Sequence, residues 1–267
     1  MKRVFITGAS SGLGQALARE YAARGARLGL LARRGDKLQA LVASLPNPSL
    51  HLCYTVDVTD HAALAEAAND FIARAGGADI VIANAGVSFG TLTGRDGDVA
   101  VIERILQTNV VATAATFAPF IAPMKAQAAA GARDLRLVGI ASVAGIRGLP
   151  GAEAYSASKA AVISYCESLR VELRAQGIRV VTIAPGYIDT PMTQVNTYRM
   201  PFLMPAERFA CSAVRVITAG RSYAVIPWPM RIVSWVLRLL PNWIYDAAFA
   251  RAPYKPSAQD IEGRQAR

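Results

Sequence analysis

RVFITGASSGLG, residues 3–14, decides the fold. Residues 2–7 read as a strand, because Val4, Phe5, Ile6 and Thr7 are β-branched or aromatic. Gly8, Gly12 and Gly14 follow, and QALAREYAAR continues as a helix that ends at Gly25. A strand that passes through a glycine-rich turn into a helix is a βα junction. Here Gly8 permits the tight turn, and Gly12 and Gly14 let the backbone approach a pyrophosphate at a helix N-terminus. The spacing, G-x-x-x-G-x-G, differs from the commoner G-x-G-x-x-G, and taken alone such a turn also serves as a plain strand-to-helix connection.

Outward from this junction the same alternation repeats. ARLGLL, LHLCYTVD, DIVIANAG, LRLVGIAS, IRVVTIAP and SYAVIP are further strand candidates, giving seven with the first. Ala-rich helical stretches such as HAALAEAANDFIARAGG separate them, closing on glycine. Parallel strands need crossovers, and both faces of a parallel sheet must be buried. The expectation is therefore an α/β, Rossmann-type, doubly wound seven-stranded parallel sheet with helices on both faces, formed by a single domain over residues 1–267.

Composition narrows the partners. The formal charge is +10, and residues 199–267 hold ten Lys or Arg against four Asp or Glu. Without basic blocks, zinc fingers or RNA-binding aromatic signatures, no nucleic acid is expected. Cys53, Cys166 and Cys211 are widely spaced and odd in number, which suits a reducing compartment. Only His51 and His61 are available as histidines, so neither a metal site nor a Ser-His-Asp triad is expected. The chain begins directly in a strand, leaving no signal-peptide pattern, and the expected location is cytoplasmic. The longest apolar run, residues 224–240, is broken by Arg231, Arg238 and two prolines, so no transmembrane helix is expected.

YSASK, residues 155–159, pairs a phenol with an ammonium four residues on. On a helix the two share one face. A free tyrosine, with a pKa of about 10, is a poor base near neutral pH, and a neighbouring cation favours its phenolate. Together with TGASSGLG, the NAG at residues 84–86, Asn109, Ser142 and PGYIDT, this motif resembles the short-chain dehydrogenase/reductase family over residues 2 to about 191.

That resemblance implies a catalytic set of Asn109, Ser142, Tyr155 and Lys159: the tyrosine moves the proton, the serine holds the substrate oxygen, the lysine also reaches the nicotinamide ribose, and the asparagine holds a water in the proton path. For Asn109 a satisfied core amide is the competing reading. The resemblance also implies a cofactor site of Gly8, Ser10, Ser11, Gly12, Leu13, Gly14, Arg33, Arg34, Asp57, Val58, Asn84, Ala85, Gly86, Tyr155, Lys159, Pro185, Gly186, Ile188 and Thr190. Ala83 stands where many members carry a second asparagine. At the end of the second strand an NAD-selective site places an acidic residue; here Ala32 is followed by Arg33 and Arg34, which favours NADP(H). The expected activity is hydride transfer between NADP(H) and a carbonyl or secondary alcohol that is apolar or lipid-like, in a homodimer or homotetramer. An NADP(H)-binding membrane-associated or scaffold protein without significant turnover is the alternative.

Beyond the motifs, residues 187–221 are expected to cover the substrate, and Met200, Phe202, Leu203 and Met204 either line that region or pin a loop to the core. Residues 227–251 hold all three tryptophans. Arg231, Ser234 and Arg238 form a narrow polar stripe on an otherwise apolar helix. Trp235, Leu239, Trp243 and Phe249 then need a cover: a partner subunit, the substrate region, or peripheral contact with a membrane surface.

Overall fold

A computed structural model describes residues 1–265. Nine strands occur in chain order: β1 (Arg3–Thr7), β2 (Arg27–Ala32), β3 (Leu52–Thr55), β4 (Ile80–Ala83), β5 (Leu135–Ile140), β6 (Ile178–Pro185), β7 (Ile188–Asp189), β8 (Met204–Pro205) and β9 (Tyr223–Ile226). Seven of them form one sheet in the order β3-β2-β1-β4-β5-β6-β9, every pairing parallel. All seven strands expected from the sequence are present. The two-residue pair β7–β8 stands apart from this sheet.

The helices are α1 (Gly12–Ala23), α2 (Gly35–Ala43), α3 (His61–Ala75), α4 (Asp98–Leu106), α5 (Ala112–Ala129), α6 (Glu153–Arg174), α7 (Pro191–Gln194), α8 (Ala206–Ala219), α9 (Trp228–Leu239), α10 (Asn242–Phe249) and α11 (Ala258–Gln265). Because side chains alternate along a strand, each strand feeds two cores. Val4, Ile6, Leu28, Leu30 and Ile140 pack with Leu17 of α1, Leu38 of α2 and Phe209 of α8. Phe5, Leu31, Val81 and Leu137 face the other way, onto Phe71 of α3, Phe120 of α5 and Val162 of α6. The Phe5 ring lies 5.5 Å from Phe71 and 5.0 Å from Phe120. Gly29 is required beside this aromatic group, since a Cβ there would stand 2.5 Å from the Phe71 ring. Burying each such side chain contributes about 1.5–3 kcal/mol.

A π turn at Gln107–Val111 joins α4 to α5. The continuous helix Asp98–Ala129 is apolar and long enough to cross a membrane. Its Phe117, Phe120 and Met124 are fully buried on the sheet, however, so that apolarity serves the core. Strand order reverses between β1 and β4, which opens a crevice at the carboxyl edge of the sheet.

Candidate active site

The crevice begins where β1 gives way to the glycine loop. Gly8 and Gly12 have φ of +68° and +55°, values that favour glycine. A Cβ on Gly8 would also lie 2.8 Å from Ala85 Cα. Gly14 works differently from the expectation: it does not line the crevice, and its missing Cβ makes room for the Gly8 carbonyl oxygen, 2.3 Å from where that carbon would be. It thus packs the loop against the helix it opens. Thr7 and Asn84 tie β1 to β4: Asn84 Nδ2 donates to the Thr7 carbonyl at 2.9 Å, and the N–H groups of Asn84 and Ala85 donate to Thr7 Oγ1 at 3.1 and 3.2 Å. Ser11, at the N-cap of α1, makes no side-chain capping bond, which leaves the helix N-terminus open to an anionic ligand.

Beyond the loop, Arg34 donates to Ser10 Oγ at 3.1 Å and to Ser11 Oγ at 2.8 Å. Arg33 lies 3.6 Å from Asp57 Oδ2. Partial burial pushes the Asp57 carboxyl up, but hydrogen bonds from Thr59 and the Arg33 charge hold it below the usual range. Capping of α3 falls to Asp60, whose Oδ1 accepts from Ala63 N–H at 3.0 Å, leaving Asp57 on the crevice wall with Val58.

At the other end, α6 carries Tyr155 and Lys159. Ser142 follows β5, and its Oγ accepts from Ala144 N–H at 3.1 Å and lies beside the Tyr155 phenol. Burial raises the Tyr155 pKa, and the Ser142 hydroxyl opposes the rise. Lys159 donates to the Ile140 carbonyl at 2.9 Å, its Nζ 5.8 Å from the Tyr155 ring centre. Burial pulls the Lys159 pKa down to about 8. Gly86 approaches the same point, since a Cβ there would stand 3.5 Å from Lys159 Nζ and 3.1 Å from Asn109 Oδ1.

Asn109 sits in the π turn, buried and fully engaged. Its Oδ1 accepts from Val87 N–H at 2.8 Å, and its Nδ2 donates to the Val87 carbonyl at 3.0 Å and to Ser158 Oγ at 2.9 Å. The side chain therefore clamps the loop after β4 to α6, with one lone pair of Oδ1 left over for a further donor. On the far wall, Pro185, Gly186 and Ile188 lead to Thr190, which caps α7 in a reciprocal box with Thr193. Gly186 is needed there because a Cβ would meet Met230 Cγ at 2.7 Å.

These segments enclose one cleft of about 670 Å³. Every residue assigned to cofactor or catalysis in the sequence lines it, except Gly14 and Asn109, which stand behind its wall. The open helix N-terminus, the Arg33 and Arg34 cations and the glycine approach fit a nicotinamide dinucleotide, whose diphosphate residues 8–13 would hold, with Arg34 and Asp57 at the adenosine end and Tyr155 and Lys159 at the nicotinamide end.

The short chain dehydrogenase family model matches residues 2–200. An uncharacterised oxidoreductase of Myxococcus xanthus (strain DK1622) is 38% identical over 251 residues, covering 94% of this chain and 97% of its own. The chain belongs to the short-chain dehydrogenase family. It is an NAD(P)-dependent oxidoreductase. Among solved structures, a 3-ketoacyl-(acyl-carrier-protein) reductase from Brucella melitensis complexed with NADH superposes with a TM-score of 0.76 at 24% identity, over 84% of this chain and 94% of that one. Levodione reductase gives a TM-score of 0.74 at 26% identity, over 84% and 95%.

Outside the family motifs several expectations need correction. Phe202 and Leu203 are exposed, and Met204 pairs with Ile188 and packs on the core, so residues 200–204 do not line the cleft. Met192 and Val195 do, because the chain turns back into β8 after them. On α9, Ser234 is buried while Arg231 and Arg238 are exposed, so these three do not share one solvated stripe. Phe249 is half-buried and stacks on Tyr245, ring centres 4.4 Å apart, so it finds its cover within the chain. Sequence reading missed Arg147, which donates to the carbonyls of Leu237 and Leu240 at the end of α9 and to Asn242 Oδ1 at the start of α10. It also missed Lys255, 5.6 Å from the Tyr155 ring centre. An arginine or lysine in an irregular segment carries no local signal of the long-range contact it will make.

Proposed function

We propose that this member of the family is an NADP(H)-dependent enzyme that moves a hydride between the nicotinamide and a ketone, or the matching secondary alcohol, of apolar character. The observation that carries this reading is the meeting of Ser142, Tyr155 and Lys159 at the nicotinamide end of the cleft. When bound, the dinucleotide supplies or accepts the hydride. Ser142 and Tyr155 hold the substrate oxygen from one side, and Tyr155 gives its phenolic proton to that oxygen in reduction or takes it in oxidation. Lys159, still charged near neutral pH, stabilises the phenolate and orients the ribose. Asn109 keeps the loop after β4 in register with α6.

NADP(H) is favoured over NAD(H) because the end of β2 presents Arg33 and Arg34 in place of an acidic residue. Arg34, already held over Ser10 and Ser11, is the better placed to meet a 2′-phosphate, since Arg33 faces Asp57. Apolar substrate character is supported by Val87, Phe89, Met192, Val195 and Ile261 around the substrate end. The three cysteines are free, which suits the reducing cytoplasm. We further infer a homo-oligomer.

One surface supports a second, compatible reading. Trp228, Trp235 and Trp243 are 69–74% exposed, and Ile232, Val236 and Leu239 between them are exposed too. With exposed Arg231 and Arg238 beside them, they form an amphipathic face suited to an anionic bilayer surface. Turnover of a panel of apolar ketones and secondary alcohols with NADPH and with NADH tests the enzymatic reading. NADPH-linked turnover of at least one apolar ketone is expected. Dinucleotide binding with no turnover across the panel would favour a scaffold.

A further inference from the structure

After α10 the chain doubles back over the substrate end of the cleft. Gly90 N–H donates to the Pro256 carbonyl at 2.8 Å, and Gly90 and Ser257 form a parallel bridge. The approach is close: a Cβ on Gly90 would fall 2.0 Å from the Lys255 carbonyl oxygen, and one on Gly151 would fall 2.6 Å from Tyr254 Cγ. Ser257 then accepts from Asp260 N–H and donates to its carboxylate, fixing the start of α11. Residues 252–261 are therefore a strap seated on the loop after β4, and Ile261 reaches the cleft wall.

Lys255 is the residue this strap delivers. Its Nζ donates to the buried Ser88 Oγ at 2.7 Å and stands over the Tyr155 ring, 5.6 Å from its centre. Lys159 stands 5.8 Å from the same centre. Two ammonium groups thus lie near one tyrosine ring, one from four residues along the same helix and one from the far end of the chain. Among the described residues no carboxylate forms an ion pair with Lys255. Beside Tyr155 also stand the Ser142 hydroxyl and the phenol of Tyr198, whose pKa burial pushes up to about 12, so that it stays neutral, and Arg104 lines the same cleft. Burial pulls the Lys255 pKa down to about 8, which leaves it mostly charged at pH 7.

We propose that Lys255 is a positioning residue for proton transfer: its ammonium, brought by the C-terminal strap and held on Ser88, stabilises the phenolate of Tyr155 together with Lys159. The proposal rests on the reading of Tyr155 as the group that moves the proton. In reduction the Tyr155 O–H bond breaks and its proton passes to the substrate oxygen as the hydride reaches the carbonyl carbon; the nicotinamide is oxidised, the carbonyl is reduced, and a phenolate remains between two cations until solvent reprotonates it. Oxidation runs the same exchange backwards. A phenolate and an ammonium held side by side favour each other's charged forms, so an ionised Tyr155 would keep the Lys255 proton above about pH 8 and Lys255 would ease the ionisation in return. A lysine far outside the family motifs thereby becomes part of the site.

The test needs no substrate. The ultraviolet tyrosinate absorbance of the full chain, minus that of its Tyr155→Phe variant, follows Tyr155 ionisation against pH. In a Lys255→Met background the same difference should titrate about one pH unit higher, and Lys255→Arg should restore the original position. Ser88→Ala, which removes only the anchor, should shift it in the same direction by less. Unchanged NADPH affinity in each variant shows that the fold is kept. If Lys255→Met does not fold, the Ser88→Ala shift carries the test. Superimposable titrations in folded variants, or no Tyr155 step below the pH of unfolding, overturn the proposal. Its failure is distinct from failure of the underlying reading: Tyr155→Phe retaining full turnover of a ketone from the panel overturns the role of Tyr155, whereas an inactive Tyr155→Phe with unshifted titrations removes Lys255 alone.

Discussion

The first and last thirds of the chain contribute to one cleft by different physical means. In residues 3–34 the ligand surface is made by backbone: glycines at 8 and 12 in left-handed conformations, an uncapped helix N-terminus, and Arg34 folded onto the serines two dozen residues before it. Residues 228–261 reach the cleft through side chains brought from a distance: Ile261 lines its wall and Lys255 stands over the Tyr155 ring across a hundred positions of sequence, while Arg147, from the middle of the chain, holds the junction of α9 and α10. Backbone geometry imposes residue types at fixed spacing and so leaves a motif. Long-range placement imposes only a charge at the end of an irregular segment, which leaves none.

The two contributions converge on Tyr155, and the largest effect is expected there. Tyr155→Phe keeps the ring and removes the proton, so ketone turnover should fall about 10²- to 10⁴-fold. NADPH affinity should stay close to that of the parent. Steady-state kinetics beside a fluorescence titration of NADPH check both halves of the statement. Rates equal to the parent on a genuine substrate would disconnect the cleft from chemistry and make the comparison one of binding surfaces only.

Next in size is a pH effect from Lys159. Its folded pKa of about 8 lies below its ordinary 10.5, so the unfolded chain binds the proton more tightly than the folded one. Burial of the charged form therefore costs stability in full below about pH 8. That cost fades as pH rises toward 10.5. The pH-dependent part is on the order of 3 kcal/mol. Lys159→Met removes it, although it also leaves the Ile140 carbonyl without its donor, a loss independent of pH. Relative to the parent, the variant should be at its best near pH 7 and lose ground steadily toward pH 10.5. Chemical denaturation at several pH values reads this directly. A constant difference across that range would mean that Lys159 is not held charged in a dry site.

A smaller effect separates the two arginines at the adenosine end. Arg34→Ala should weaken NADPH binding about tenfold or more, the worth of a charge-assisted hydrogen bond, and leave NADH binding nearly unchanged. Arg33→Ala should do less, because Asp57 already occupies part of its charge. Equal losses for both dinucleotides would make Arg34 a brace for the Ser10–Ser11 turn, with no part in reading the phosphate.

How far the sequence reached follows the same division. All seven strands of the main sheet were legible, because each carries an apolar run bounded by turn residues, a pattern that marks a buried strand before its partners are known. Within the site, residue identities were legible but some functions were not. Gly14, expected to let the backbone approach a phosphate, also makes room for the Gly8 carbonyl, and Asn109, expected to hold a water, also bonds Val87 and Ser158 through its side chain. Both concern which neighbour arrives, and that is settled in three dimensions. On α9 the ambiguity was rotational. Met230 points inward while Trp235 and Leu239 point outward, so apolar residues occupy both sides and periodicity alone could not orient the helix.

That outward face gives the smallest expected effect on the fold and the sharpest contrast with the cleft. Because Trp235 and Trp243 are about 70% exposed, replacing both with serine removes little that folding has buried, and surface changes of this kind usually stay within about 0.5 kcal/mol. Thermal stability and NADPH affinity should hardly move. Co-sedimentation with vesicles containing anionic lipid should drop, and the part carried by Arg231 and Arg238 should fade with added salt. Vesicles of neutral lipid should bind the parent less well from the start. A shift in assembly state with unchanged vesicle binding would give the face to a second subunit. A marked loss of stability would show that these side chains are buried in the working protein, and that its C-terminal third is as much a structural element as its glycine loop.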